Sequence, residues 1–342
     1  MMVTRRDFFR YSTLFPLIIN SSCGEDHKVV INDLIINYES ETGIQKYLSL
    51  NFFYPEFNKE PLPLIVFSHG FSGSPKFYKK LLTGIASRGY FIVAPQHNDY
   101  INFFTEERLI SFDEISRVFN DVNEVINSIH EIEDLSNYSV EDIWNLFFQQ
   151  ILNGNISNEE VLFPFEKIFN YRTEEISVAI TYAKEFSNSI IKHGIVRDEL
   201  GLMGHSLGGI SLINYSHLDE DVKAINFISP AGGLTDASKS LTPTIWITGN
   251  IDSFYLPTKN SFQISPSPSS FISLIGVGHL SFVEPCNIIS SSYEETCKNQ
   301  DEKINAISLA SVCFFDKWIK GIGSEDNFIL RYYWLVGEYD KK

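Results

Sequence analysis

Two glycines flank a serine in Gly204-His205-Ser206-Leu207-Gly208, between an apolar run, Leu200 to Met203, and a helical run, Leu207 to Tyr215. A strand that turns into a helix over one residue forces a strained backbone there. Glycines two positions before and after it remove the Cβ atoms that would otherwise collide. The pattern G-x-S-x-G in that setting offers a serine hydroxyl for nucleophilic attack. A serine is a weak nucleophile until a base takes its proton.

Eight histidines are available as that base. In a strand–serine–helix site of this type the base follows the serine in the chain, which leaves His217 and His279. His217 falls at the far end of the helix that Ser206 opens. His279 follows the last strand-like run inside Gly276-Val277-Gly278-His279-Leu280-Ser281-Phe282, where small residues let a loop carry an imidazole over the serine. An acid must then orient that ring. Thr244 to Thr248 reads as a strand that runs into Gly249-Asn250-Ile251-Asp252, so Asp252 is the expected acid, with Asp236 as its rival. Charge that develops on a reacting carbonyl oxygen needs N–H donors. The backbone N–H groups of Leu207 and of Phe71, in Ser68-His69-Gly70-Phe71-Ser72-Gly73, are the expected pair.

These side chains need a frame that brings loop ends together. Val29 to Tyr38 and Tyr47 to Tyr54 read as an antiparallel hairpin. Short, mostly apolar runs at 64–68 and 90–94 read as strands buried on both faces, and further strands are read at 200–203, 223–228, 244–248 and 271–275. Helical stretches fall between most of them, including Phe77 to Ser87, Arg172 to Ile191 and Ser311 to Gly321. The alternation predicts a mainly parallel sheet with helices on both faces. Residues 98–171 are too many for one crossover. They read as a helical insertion at the edge of the sheet where ligands bind, and thus as a candidate lid. Its stripes carry many aromatic residues, among them Phe119, Trp144 and Phe148, which predicts an apolar pocket wall or additional core.

The 342 residues carry 27 Lys and Arg against 43 Asp and Glu, a net charge of −16. Most of that excess lies in the insertion. Such a chain is repelled by phosphate backbones, so no nucleic-acid partner is expected. Neither a metal nor a cofactor is implied. Thr4-Arg5-Arg6-Asp7-Phe8, a modest apolar run and Cys23 have the form of a twin-arginine export signal that ends at a lipidation cysteine. Residues 24–342 then form the mature domain, periplasmic, secreted, or anchored to a membrane through Cys23. In an oxidising compartment Cys286 and Cys297 are expected to close a polar loop by a disulfide, and Cys313 to be buried.

Together FSHGFSG (67–73), GHSLGG (204–209), the Gly249–Asp252 turn with Pro257, and GVGHLSF (276–282) resemble α/β-hydrolases. Among these the resemblance is to the dienelactone hydrolase, polyester hydrolase, chlorophyllase and platelet-activating-factor acetylhydrolase group, over most of 46–320 outside the insertion. It implies an α/β-hydrolase fold and a serine esterase acting through an acyl-enzyme on a neutral, small-molecule or lipid-like ester. In the acetylhydrolases the acid follows the strand after the serine's helix. Here Ser229-Pro230 holds that place, and Asp252 matches the other branches instead. An acyltransferase or peptidase would use the same residues, and a non-catalytic binding protein would use the same fold.

Overall fold

The computed structural model describes residues 27–41, 43–71, 73–97, 99, 165–216, 219–230, 241–252, 254–284 and 297–342. Nine strands form one sheet among them: β1 (Val29–Glu39), β2 (Gln45–Pro55), β3 (Leu62–Ser68), β4 (Phe91–Pro95), β5 (Ile195–His205), β6 (Val222–Ile228), β7 (Thr244–Gly249), β8 (Ser269–Leu274) and β9 (Val336–Lys341). Their spatial order is β1-β2-β4-β3-β5-β6-β7-β8-β9. The six strands from β4 to β8 pair in parallel. At one edge the β1–β2 hairpin joins antiparallel to β4, and at the other β9 joins antiparallel to β8.

Alternation along each central strand builds two cores. Leu64 and Val66 of β3 enter one cluster and Ile65 and Phe67 the other. Trp246 of β7 is divided in the same way from Ile245 and Ile247. A strand covered on both faces is mostly apolar, as β3 is, and β3 is buried throughout. The helices are α1 (Lys79–Ala86), α2 (Phe165–Ile190), α3 (Leu207–Ser216), α4 (Tyr255–Ile264), α5 (Gln300–Trp318) and α6 (Asp326–Arg331). α2, α3 and α4 cover one face, through Ile176, Ala179 and Ile180, Leu212 and Ile213, and Phe262. α1, α5 and α6 cover the other, through Leu81 and Ile85, Ile307 and Phe314, and Phe328. Successive crossovers on opposite faces open a crevice where the C-terminal ends of β3 and β5 lie side by side.

Three expectations need correction. The crossover helix starts at Phe165, within the stretch assigned to the insertion. The closing helix starts at Gln300 rather than Ser311, with Asp301 and Glu302 in its first turn. Ser311 lies in mid-helix because its hydroxyl is satisfied there, donating to the Ile307 carbonyl and accepting from Asn226. β9 has no counterpart among the expected strands. It is an edge strand, half exposed along its length, and carries no apolar run.

Candidate active site

β5 ends at His205 and α3 begins at Leu207, so Ser206 alone makes the turn. Its φ is +54°, a left-handed conformation that costs an ordinary residue about 1–2 kcal/mol. The two flanking glycines admit it. A Cβ on Gly204 would lie 2.6 Å from the backbone carbon of Gly208, and one on Gly208 would lie 2.0 Å from the carbonyl oxygen of Ser68. The turn is held by the Ser206 N–H donating to the Ile228 carbonyl at 3.0 Å.

The loops after β7 and β8 deliver the partners. Ile251 N–H donates to the Val277 carbonyl at 3.3 Å, and Gly276 N–H to the Asn250 side chain at 2.7 Å, so the loops are fastened to each other. Ser281 closes a turn around His279 by accepting from the Gly278 N–H at 2.8 Å. The His279 Nε2 then lies 3.0 Å from the Ser206 Oγ, and its Nδ1 lies 3.3 Å from both carboxylate oxygens of Asp252. All three residues are buried. Burial by itself would raise the Asp252 pKa. The charge and hydrogen bond of His279, with a further bond from the Phe254 N–H, outweigh it and keep the carboxyl below its ordinary value. In this order hydroxyl, imidazole and carboxylate can pass a proton from oxygen to nitrogen while the ring stays oriented.

The structure thus brings together Ser206, Asp252 and His279, and it sets the 68–71 loop against them. A Cβ on Gly70 would lie 3.4 Å from that of Ser206. Phe71 is buried beside the turn, and Leu207 is the first residue of α3, where helical N–H groups have no partner within the helix.

Behind that loop lies a polar cluster that sequence reasoning missed. Arg172 of α2 is buried and paired with Asp99, through contacts of 2.8 and 2.6 Å. It also donates to the carbonyls of His69 and Gly70. The His97 Nδ1 meets Glu175 at 2.6 Å, and its Nε2 meets Ser68 at 2.9 Å. His205 adds a bond between its Nδ1 and the Tyr78 hydroxyl at 2.6 Å. Burial, the largest influence, drives the pKa of His69, His97 and His205 well below the ordinary value. The Arg172 charge acts in the same direction on His69 and His97, against the opposing pull of Asp99. One signal was available in the sequence. Arg172 and Glu175 share a helix face with Ile176 and Ala179, and charges on an apolar stripe need buried partners.

A family model described as platelet-activating factor acetylhydrolase, isoform II, matches residues 51–229, just over half of the chain. The chain belongs to this family. The family is of the α/β-hydrolase type and consists of ester hydrolases, which implies a lipid-like ester substrate. No curated protein matches the chain. The family match takes in the 67–73 loop and the Ser206 turn and ends at Ser229, before Asp252 and His279. Ser229, where the resemblance would put the acid, is buried with φ +41°, and its hydroxyl donates to the Thr248 hydroxyl at 3.4 Å.

Cys313 is buried in α5. Cys23, the export signal, residues 100–164 of the insertion, His217, Asp236 and Cys286 lie outside the described residues. Among the described residues, no group of His, Cys, Asp and Glu is placed to hold a metal ion, and no helix is long and apolar enough to cross a membrane.

Proposed function

We propose that this acetylhydrolase-family protein is a serine carboxylic-ester hydrolase of α/β-hydrolase fold, with Ser206 as nucleophile. The observation that carries the reading is the continuous path from the Ser206 Oγ through His279 to Asp252, built on a turn strained at the serine. His279 takes the hydroxyl proton as the Ser206 oxygen attacks the ester carbonyl. The N–H groups of Phe71 and Leu207 receive the oxyanion. His279 then gives its proton to the leaving alkoxide as the C–O bond breaks, leaving an acyl-enzyme and free alcohol. A water activated by the same imidazole cleaves the acyl-enzyme, and the proton returns to Ser206. Asp252 keeps the Nδ1 proton in place throughout.

The substrate is a neutral ester of some hydrophobic bulk. The aromatic stripes of the insertion, including Trp144 and Phe148, are proposed to wall its pocket. Export by the twin-arginine segment, lipidation of Cys23 and a Cys286–Cys297 disulfide complete the proposal.

A panel of p-nitrophenyl esters of increasing acyl length, with Ser206→Ala and Trp144→Ala/Phe148→Ala variants, tests it. Wild type should hydrolyse the esters and Ser206→Ala should not. If the pocket reading holds, the aromatic variant should lose selectivity between short and long acyl chains. Unchanged selectivity makes the insertion scaffold. Acyl transfer to added alcohols in preference to water would make the enzyme a transferase.

A further inference from the structure

The guanidinium of Arg172 has five N–H donors, and the structure gives it five contacts. Nε and Nη2 hold the two oxygens of Asp99, at 2.8 and 2.6 Å. Nη1 donates to the His69 carbonyl at 2.6 Å and to the Ser68 Oγ at 3.3 Å, and Nη2 also reaches the Gly70 carbonyl at 3.3 Å. Asp99 lies at the start of the long insertion and Arg172 follows it, so the pair joins chain segments that are 73 residues apart. Both side chains are about 1% exposed, out of reach of any substrate.

The Gly70 carbonyl is gripped from three directions. Besides Arg172 it accepts from the His69 Nδ1 at 2.7 Å and from the Gly73 N–H at 3.1 Å. Since a carbonyl only accepts, the His69 Nδ1 carries the ring proton, and Nε2 is left to accept from the His97 N–H at 2.9 Å. Neutral His69 therefore uses both nitrogens to tie the loop. The Gly70 N–H is fixed as well, by the Tyr78 hydroxyl at 3.3 Å.

A trans peptide points its C=O and the following N–H in opposite directions. A Gly70 carbonyl drawn into the cluster therefore turns the Phe71 N–H away from it. We propose that Arg172, held by Asp99, is a positioning residue that sets the oxyanion geometry by anchoring the carbonyls of His69 and Gly70. The proposal rests on the reading of the Phe71 N–H as an oxyanion donor. Without the guanidinium the Gly70–Phe71 peptide loses one of its three anchors, and the neighbouring His69 peptide loses its grip.

Arg172→Lys keeps the charge opposite Asp99. A single ammonium cannot reproduce the planar fork that spans the carboxylate and two carbonyls. The double variant Arg172→Met/Asp99→Asn removes both charges of the pair, so neither partner is left behind as an unpaired buried ion. With p-nitrophenyl acetate, each variant should lose on the order of 10²-fold in kcat with KM within about threefold, the loss typical of one oxyanion donor. The decisive readout is a matched pair of ketone inhibitors. A trifluoromethyl ketone adds the serine oxygen and places an oxyanion in the hole, whereas its methyl ketone analogue binds as the planar carbonyl. Affinity for the trifluoromethyl ketone should fall about as far as kcat, while that for the methyl ketone stays within a few-fold. Equal losses for both inhibitors, or none, in either folded variant overturn the positioning role. A wild-type enzyme that Ser206→Ala leaves active would overturn the underlying reading instead, whatever the Arg172 variants do.

Discussion

Replacing Asp252 by Asn removes one charge from a buried site and changes no volume. The Oδ1 of Asp252 accepts from the Phe254 N–H at 2.8 Å, so an asparagine oxygen will keep that place. Its amide nitrogen then stands 3.3 Å from the His279 Nδ1 and competes for it with the retained oxygen, also at 3.3 Å. An amide that donates to Nδ1 puts the ring proton on Nε2, which faces the Ser206 Oγ and can no longer accept from it. The lost charge adds to this. Two unit charges about 4 Å apart interact by about 4 kcal/mol at an effective dielectric near 20, about 10³-fold in rate. With the wrong tautomer included, kcat should fall on the order of 10⁴-fold. Steady-state hydrolysis of p-nitrophenyl acetate, normalised to folded protein by circular dichroism, measures it. A kcat within about tenfold of wild type refutes the reasoning. If Asp236→Asn causes the large loss in its place, the acid is Asp236.

Gly208→Ala should lower stability by about 3 kcal/mol or more, because the new Cβ would lie 2.0 Å from a backbone oxygen that no rotamer change can relieve. An unchanged Tm with full activity would contradict that contact. Acid stability should fail early. Burial holds His69, His97 and His205 well below the ordinary histidine value, so below about pH 6.5 the unfolded chain binds protons that the native one does not. Stability is then complete above about pH 6.5 and falls by up to about 1.4 kcal/mol per pH unit for each histidine below it. A Tm that is level from pH 8 to pH 5 would count against their burial as neutral rings. Peptide mapping of protein from an oxidising compartment should find Cys286 joined to Cys297, and two alkylatable thiols there would remove the disulfide.

The central strands were legible because burial on both faces demands an unbroken apolar run, as in Leu64-Ile65-Val66-Phe67. The turn at Ser206 was legible because only glycine fits at 204 and 208, where a Cβ would strike backbone. Asp252 and His279 could be picked out because chain order and loop-sized residues leave few candidates. β9 was not, since an edge strand that is half exposed needs no apolar pattern. The cluster of Arg172, Asp99, His97 and Glu175 was missed for a different reason. Its members come from two segments, 97–99 and 172–175, and only the folded chain shows that their charges and hydrogen bonds satisfy one another.

The central claim is that Ser206 attacks the ester. A fluorophosphonate probe, followed by peptide mass mapping, tests it most directly. One equivalent of probe should attach to the peptide that contains Ser206, and Ser206→Ala or His279→Ala should abolish the labelling. Stoichiometric labelling of another serine, or undiminished labelling of the Ser206→Ala protein, would contradict the account.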